Sequence, residues 1–373
     1  MVFSLRHERR VFRGAFFASE RRRMDTSNAL RALIDRLDAT HTLTETEYET
    51  LYDGRAAVAD YAAALADARR RAVYGTDVYI RGLIEVSNIC KNDCYYCGIR
   101  KSNAACTRYR LDDDAILAAC RAGYALGFRT FVMQGGEDAA FSDARLVPLV
   151  RAIKAEFPDC AVTLSLGERS DASYRALRDA GADRYLLRHE TADAAHYAKL
   201  HPAAMSHANR LHCLDTLRAL GYQVGCGFMV GSPYQTAAHV ARDLKFIETF
   251  RPDMVGIGPF LPHHATPFAA FPPGTAEATI FLLSLVRLML PHVLLPATTA
   301  LGTIEPGGRA RGIAAGANVV MPNLSPAAVR GQYTLYDGKP ASGTEAAECV
   351  RRLADEMAAI GYRVVTARGD VKR

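Results

Sequence analysis

The stretch "RGLIEVSNICKNDCYYCGIRK" (81–101) joins a predicted buried strand directly to three closely spaced cysteines. The run "RGLIEVSN" (81–88) is largely apolar and ends in polar residues, and Cys90, Cys94 and Cys97 follow it on a predicted long loop. A structural zinc site has four protein ligands, but no fourth cysteine follows at a comparable spacing. Three thiolates suit an iron–sulfur cluster in which one iron has no protein ligand.

The strand before the cysteines is the first of eight in a repeating pattern. The strands alternate with predicted helices that tend to end at glycine, the expected residue at a helix C-terminus. Eight strand–helix units predict an α/β fold, a complete (β/α)8 TIM-type barrel. A doubly wound open sheet is the alternative, but no G-x-G-x-x-G follows the first strand. The other seven runs are "TFVMQGGE" (130–137), "AVTLSLGE" (161–168), "RYLLRHET" (184–191), "QVGCGFMVG" (223–231), "MVGIGPFLP" (254–262), "VLLPATTA" (293–300) and "ANVVMPN" (317–323).

Four segments are predicted along the chain. Residues 1–23 hold seven arginines and two glutamates, a balance of 7 − 2 = +5, and are expected to be a disordered extension. An organellar presequence, or an upstream start before the methionine at 24, is the alternative. Residues 24–76 are predicted to be N-terminal helices, 77–325 the barrel, and 326–373 a C-terminal tail that completes the barrel with one helix and a short strand.

Composition excludes several classes of protein. The net charge is +6, so the chain beyond residue 23 carries 6 − 5 = +1. A charge this small does not indicate a surface that binds nucleic acid. No apolar run reaches the roughly 18 residues that a membrane span needs. Nine cysteines, three of them clustered, do not form the even, spread set of a secreted disulfide framework. The composition therefore predicts a cytoplasmic protein.

The motif Cys90-x3-Cys94-x2-Cys97, with aromatic Tyr96 before the last cysteine, resembles the signature of the radical S-adenosylmethionine (SAM) superfamily. That superfamily carries it after the first strand of a barrel. The resemblance implies one [4Fe-4S] cluster on the three cysteines, whose open iron binds the amino and carboxylate groups of SAM. It also implies reductive cleavage of SAM to methionine and a 5′-deoxyadenosyl radical, which the barrel must shield from water.

The resemblance also implies positions for SAM-binding residues. "QGGED" (134–138) ends the second strand, where the family's Gly-Gly-Glu element meets the methionine ammonium through backbone carbonyls, and glycine permits that approach. Arg210 suits the carboxylate because guanidinium binds it as a fork. "GCGFMVG" (225–231) resembles the segment beside the adenine. The predicted SAM-binding residues are Tyr96, Gln134, Gly135, Gly136, Glu137, Glu190, Arg210 and Met229.

A longer similarity, from about residue 79 to 340, resembles the HydE-type maturases of iron-iron hydrogenases. It is carried by "TLSLGE" (163–168), "GADRYLLRHET" (181–191), "PATTALGTIEPGGR" (296–309) and "GANVVMPN" (316–323). The resemblance implies H-cluster assembly with a second radical SAM maturase and a GTPase scaffold. It further implies a small cysteine-bound iron carbonyl–cyanide substrate and a flavodoxin- or ferredoxin-type electron donor.

The substrate residues are expected at the inner face of the strands. Alternation places Thr163 and Ser165 on one face, and Arg188 and Glu190 on one face. A charge that points into a barrel costs several kcal/mol unless it is paired, so a bound anion or Glu190 is expected to neutralise Arg188. Packing is the alternative role for the methionine and tyrosines of the set. The predicted substrate-binding residues are Thr163, Ser165, Arg188, Thr298, Thr299, Met321, Tyr333 and Tyr336.

Several other interpretations stay open at this point. A zinc knuckle could be completed by Cys106 or a distant histidine, and His263–His264 are expected to be structural. Within the same chemistry, a methylornithine synthase-like mutase and a biotin synthase-like sulfur inserter share the barrel. A non-catalytic iron–sulfur carrier or scaffold is the interpretation from another class. Only Cys349 lies near the C-terminus, so no second cluster is predicted.

Deleting residues 1–23 is expected to leave SAM cleavage unchanged, because all predicted site residues lie beyond them. The measurement is the rate of 5′-deoxyadenosine release from the full-length and truncated proteins after reduction with dithionite. A slower truncated protein would give the basic segment a role in activity.

Overall fold

The computed structural model describes residues 25–340 and 346–373, so the predicted extension 1–23 lies outside the described residues. The strands are β1 (Asp77–Ile80), β2 (Gly82–Ser87), β3 (Thr130–Gly135), β4 (Ala161–Ser165), β5 (Arg184–Leu186), β6 (Gln223–Cys226), β7 (Met229–Val230), β8 (Met254–Val255), β9 (Gly258–Pro259), β10 (Val319–Val320) and β11 (Arg363–Val365). The helices are α1 (25–40), α2 (Glu45–Asp53), α3 (Ala59–Tyr74), α4 (Asp113–Ala125), α5 (Asp143–Glu156), α6 (Asp171–Asp179), α7 (Ala194–Leu200), α8 (His207–Ala219), α9 (Ala237–Phe250), α10 (Ala276–Met289), α11 (Thr299–Ile304), α12 (Gly308–Ala314), α13 (Ala327–Arg330) and α14 (Ala346–Ala359).

Six parallel strands form the main sheet, in the order β2-β3-β4-β5-β6-β8. The strands follow one another in sequence, and helices cross between most of them, as parallel pairing requires. In the register, Glu85 of β2 lies beside Gln134 of β3, which lies beside Ser165 of β4. The protein therefore has an α/β fold with a six-stranded parallel sheet, consistent with a TIM-like barrel.

Isolated parallel bridges extend the pairing beyond both edges of this sheet. Leu294 pairs with Met254 of β8, and Pro296 pairs with Val319 of β10. Asn323 then pairs with Leu83 of β2. These contacts run from one edge strand of the main sheet towards the other.

The two faces of the strands differ as alternation requires. In β2, Ile84 and Val86 belong to the main hydrophobic core, which packs the sheet against the surrounding helices. Glu85 lies between them and therefore points to the opposite, inner face. In β4 the same rule puts Val162 in the core and Thr163 on the inner face. Polar side chains consequently line the interior enclosed by the strands.

The residues from β11 onward lie against the N-terminal ends of the strands. Strand β11 pairs with β1, and the residues after it reach the first residues of β3, β5 and β6. Thr130 Oγ1 donates to the Arg368 carbonyl at 2.7 Å, and Arg184 Nη2 donates to Asp370 at 2.5 Å. Gln223 Nε2 donates to the same aspartate at 2.9 Å. The opposite ends of the strands, which lead into the cysteine loop, carry the candidate site.

The N-terminal helices pack on the outside, α2 against α9 and α3 against α10. Helix α2 begins at Thr44, which forms with Glu47 the capping box indicated by the sequence "TETE". Among residues 25–340 and 346–373, no helix combines the length and apolarity needed to cross a membrane.

Candidate functional site

Three free thiols lie on the loop that follows β2. Cys90, Cys94 and Cys97 are half-buried, and Cys90 Sγ accepts the backbone N–H groups of Asn92 and Glu137, each at 3.4 Å. Burial raises the pKa of each thiol, to about 12 for Cys97. The other two thiols raise the pKa of Cys94 further, so the three are close enough to interact electrostatically.

The number of thiols distinguishes between kinds of metal site. A structural zinc site is closed by four protein ligands, whereas the cysteine loop supplies three free thiols. Three thiolates suit an iron–sulfur cluster in which one iron has no protein ligand. Bound iron would favour the thiolates and so oppose the raised pKa values.

Two side chains fix the path of the cysteine loop. Arg108 donates to the backbone carbonyls of Asn88, Ile99 and Arg100 at 2.6 to 2.8 Å. Asn88 donates to the Thr107 carbonyl at 2.7 Å and accepts from the Tyr109 N–H at 2.7 Å. The start and end of the loop are therefore bound to each other, which holds the thiols in place without metal.

The Gly-Gly-Glu element at the end of β3 lies against the cysteine loop. A Cβ on Gly136 would come within 2.3 Å of the Ile89 carbonyl oxygen and 2.8 Å of Cys90 Cβ. Glu137 pairs with Lys91 at 3.0 Å and accepts the Glu168 N–H at 3.0 Å. Glycine is needed here because the two backbones touch.

Glu190 is held in a strained backbone conformation. Its φ is +65°, a left-handed value that costs about 1–3 kcal/mol in a non-glycine residue and is typical of functional sites. The side chain is buried, and Oε2 has no hydrogen-bond partner among the described residues. The nearest cation is Arg188, whose Nη2 lies 3.4 Å from Oε2.

Arg210 lies on α8 and is 6% exposed. Its Nε donates to Glu168 at 2.6 Å and its Nη1 to the Arg188 carbonyl at 2.7 Å. These two contacts point the guanidinium at the ends of β4 and β5, next to Glu190. Glu168 ends the predicted strand run 161–168, but the sequence does not show that it is the partner of Arg210, because the two are far apart in the chain.

Tyr96 is held by a buried histidine that the sequence did not single out. The Tyr96 hydroxyl lies 3.1 Å from His201 Nε2, and His201 Nδ1 lies 3.0 Å from the Tyr197 carbonyl. Burial lowers the pKa of His201 to about 3, so the ring is neutral at physiological pH. Met229 is buried in an adjoining cluster with Leu200, against which Tyr96 packs. His201 carries no motif, and only the structure could identify it.

Two predicted substrate residues have polar atoms without partners on the inner face of the strands. Thr163 is 2% exposed, and its Oγ1 has no hydrogen-bond partner within the described ranges. The same holds for Nε and Nη2 of Arg188. Buried polar groups are normally satisfied, so these atoms mark a place where a polar guest fits. Ser165 lies at the end of β4, beside Gln134 in the register.

The other predicted substrate residues lie around the same interior. Thr298 caps α11 by accepting the Leu301 N–H at 3.4 Å, and Thr299 is the first residue of that helix. The run 293–300 was predicted to be a strand, but its last residues, from Thr298 onward, cap and begin helix α11. Met321 packs against a small apolar cluster that contains Val319.

Residues 331–340, which we call the rim segment, cross from the cysteine loop to the end of β9. Gly98 N–H donates to the Leu335 carbonyl at 2.9 Å, and Asp337 N–H donates to the Pro262 carbonyl at 3.0 Å. Tyr333 is buried, with its hydroxyl 3.4 Å from Gln134 Nε2. Burial raises the pKa of Tyr336 to about 12. The segment thus places both tyrosines near the polar interior.

His263, His264 and Asp337 group their ligand atoms within 4.8 Å of one another beside the rim segment. His263 Nδ1 accepts the Ala265 N–H at 3.1 Å, which puts the proton of the neutral ring on Nε2. A metal-binding histidine instead donates from its second nitrogen. The tautomer therefore does not suit a metal ligand.

Comparison with known proteins identifies the family. Residues 84–247 match the family model of the radical SAM superfamily. The chain is 46% identical to the [FeFe] hydrogenase maturase subunit HydE of Thermotoga maritima over 275 residues, which is 74% of this chain and 78% of the relative.

Two solved structures have the same fold. The structure of methylornithine synthase (PylB) superposes with a TM-score of 0.76 at 25% identity, covering 89% of this chain and 97% of that one. The structure of HydG, a maturase of the [FeFe]-hydrogenase, superposes with a TM-score of 0.75 at 18% identity, over 91% and 76% of the two chains. The chain is thus an enzyme of the radical SAM superfamily and belongs, within it, to the HydE family.

Proposed function

We propose that this enzyme matures the two-iron subcluster of the H-cluster of an iron-iron hydrogenase. The observation that carries the proposal is the 46% identity to HydE across most of the chain, together with a three-cysteine loop. The partners that this function requires are a second radical SAM maturase, a GTPase scaffold, and a flavodoxin- or ferredoxin-type electron donor.

The cofactors proposed for the site are one [4Fe-4S] cluster and SAM. If bound, the reduced cluster would supply the electron that cleaves SAM to methionine and a 5′-deoxyadenosyl radical. Cys90, Cys94 and Cys97 would hold the cluster, because they are free thiols on one loop and are close enough to interact electrostatically. The fixed path of the cysteine loop would keep the three thiols in place around the cluster.

The polar groups of SAM would find their partners around the cysteine loop. Arg210 uses Nε and Nη1 for protein contacts, which leaves Nη2 without a partner in the described part of the chain and free for a carboxylate. Glu190 Oε2 accepts no hydrogen bond from the described residues and lies 3.4 Å from Arg188 Nη2, so it can also receive a cationic group of the ligand. Gly135 and Gly136, at the end of β3 beside the cysteine loop, would meet the ammonium group through their backbone, and Tyr96 and Met229 would meet the adenosine.

The substrate proposed is a small iron carbonyl–cyanide complex bound through cysteine. Arg188 and Thr163 contribute unpartnered donors on the inner face, which suit a carboxylate or cyanide acceptor. Ser165, Thr298 and Thr299 add hydroxyl groups, while Met321, Tyr333 and Tyr336 would pack against the guest.

We also propose that eight strands close around this interior. The support is the chain of isolated bridges through Leu294, Pro296 and Asn323, which reaches from β8 to β2. A closed barrel would exclude water from the radical, and the residues from β11 to 373 would seal its base.

The test of the function uses anaerobically reconstituted enzyme and has two readouts. Reduction with dithionite should release 5′-deoxyadenosine from SAM, and the enzyme should restore hydrogenase activity when added with both partner maturases to the unmatured hydrogenase. A protein that releases no 5′-deoxyadenosine would be an iron–sulfur carrier. The superposition on methylornithine synthase favours one rival, a mutase, which would instead rearrange lysine.

Arg188→Ala is expected to weaken substrate use by on the order of 10²-fold, because a charged hydrogen-bond partner of the guest is worth about 1.5–3 kcal/mol. Uncoupled SAM cleavage should change little. The measurement compares hydrogenase maturation with 5′-deoxyadenosine release in the variant and in Arg188→Lys, which keeps the charge. If SAM cleavage falls and maturation per cleavage does not, Arg188 belongs to the cofactor site instead.

A further inference from the structure

A buried ion pair on the inner face of the strands joins Glu85 to Lys339. The Glu85 side chain is 1% exposed and that of Lys339 is 9% exposed. Asn323 Nδ2 donates to Glu85 Oε2 at 2.9 Å, and Lys339 Nζ also donates to the Tyr333 carbonyl at 2.7 Å. A full carboxylate therefore stands in the polar interior, and its cation comes from the rim segment.

Fold stability does not explain this pair. Removing two charges from water costs several kcal/mol per ion, and apolar side chains of similar volume are often at least as stabilising. Burial raises the pKa of Glu85 and lowers the pKa of Lys339, so the site opposes both charges. The rim segment is already anchored by backbone contacts at Leu335 and Asp337. The presence of two charged side chains at these positions is therefore better explained by a role in binding than by stability.

The interior also offers a site for the opposite charge. Arg188 Nε has no hydrogen-bond partner in the described chain, and Nη2 faces the Glu190 carboxylate at 3.4 Å. The N–H groups of a guanidinium suit a carboxylate. An α-amino acid brings an ammonium group as well, and that group needs a carboxylate. The Glu190 carboxylate already faces the Arg188 guanidinium at 3.4 Å. The partner of Glu85 is instead the ammonium group of Lys339, which sits on a flexible four-carbon stem. Glu85 is therefore the carboxylate whose partner a second ammonium group can replace.

We propose that Glu85 is the subsite for the ammonium of a substrate with an amino-acid end, and that Lys339 fills it until the substrate displaces it. This deepens the proposed function, on which the amino-acid end of the substrate rests. Displacement of Lys339 would break the ion pair that ties the rim segment to Glu85. Substrate binding would then be coupled to movement of the rim segment.

Chemical rescue tests the subsite without requiring SAM cleavage. Lys339→Ala leaves Glu85 unpaired beside a gap, so the melting temperature should fall and hydrogen exchange at residues 331–340 should rise roughly tenfold through local opening. Ethylammonium chloride should reverse both changes, and ethanol should reverse neither. Lys339→Met fills the gap without charge and should not respond to ethylammonium.

The double variant Glu85→Gln with Lys339→Ala is the decisive control. Ethylammonium should have no effect on it, because the carboxylate is gone. Equal rescue in the double variant, or no rescue in Lys339→Ala, would overturn the subsite. All variants are first compared with the wild type by circular dichroism and iron content, and Glu85→Gln alone provides the readout at 331–340 if the double variant does not fold.

A second pair of probes tests the class of substrate in the wild-type holoenzyme. S-methyl-L-cysteine should raise exchange at residues 331–340, because its ammonium displaces Lys339, whereas 3-(methylthio)propionate, which lacks that group, should not. An equal response to both probes, or none to either, would overturn the amino-acid assignment. Since neither arm measures SAM cleavage or maturation, these failures would leave the proposed function standing.

Discussion

Cys94→Ala is expected to abolish cluster binding and SAM cleavage while the protein stays folded. Loss of a group that merely supports a metal ligand costs 10–100-fold in affinity or activity, so loss of a direct ligand should cost more than about 100-fold. The structural cost is small, about 1 kcal/mol, because one half-buried sulfur atom is removed. Iron content, visible absorbance and 5′-deoxyadenosine release after anaerobic reconstitution measure the first effect, and circular dichroism measures the second.

Cys106 provides the matched control on the same loop. Its Sγ lies 3.6 Å from Asn88 Nδ2, which makes shorter bonds to the Thr107 and Gln332 carbonyls. Cys106→Ala should therefore keep its iron and its activity. If it lost the cluster as Cys94→Ala does, Cys106 would be a fourth protein ligand and the open iron would not exist. Zinc in the reconstituted wild type would contradict the same assignment.

The parts of the fold that local chemistry decides were predictable from sequence. Strand runs of period two, the capping box at Thr44 and the helix end at Gly75, where φ is +62°, depend on neighbours in the chain. The cysteine motif is local in the same way. The comparisons confirm the family that this motif and the longer similarity indicated.

Contacts between residues far apart in the chain were harder to predict from the sequence. The sequence indicated a short run near the C-terminus, but nothing in it showed that β11 pairs with β1 at the other end of the described chain. The seventh predicted strand, 293–300, makes only isolated bridges at Leu294 and Pro296. Proline has no N–H to donate, so the run cannot continue a ladder there, and Thr298 starts a helix instead.

The same limit applies to the candidate site. Strand alternation predicted that Arg188 and Glu190 share a face, and the structure places their charged groups 3.4 Å apart. It did not predict that Lys339 would reach Glu85, because that contact depends on where the rim segment runs. Residues supplied by strand ends could be foreseen, whereas partners supplied by loops could not.

Gly136→Ala is expected to displace the cysteine loop and to lower SAM cleavage on the order of 100-fold, the loss typical of a 1 Å misplacement. The new Cβ would meet the Ile89 carbonyl oxygen at 2.3 Å and Cys90 Cβ at 2.8 Å. Neither atom is the end of a flexible side chain, so the backbones must separate. Overpacking of this kind also costs about 1–3 kcal/mol of stability.

Gly256→Ala is the control for Gly136→Ala, because it adds the same methyl group elsewhere in the strand framework. Its nearest neighbours would be Leu186 Cδ1 at 3.7 Å and the Cys226 carbonyl at 3.8 Å, which are ordinary contacts. It should therefore reconstitute with wild-type iron content, whereas Gly136→Ala should retain less iron and melt at a lower temperature. If Gly136→Ala bound iron and cleaved SAM normally, the end of β3 could move away from the cysteines without consequence, and close contact between the two backbones would not be a requirement of the cluster site.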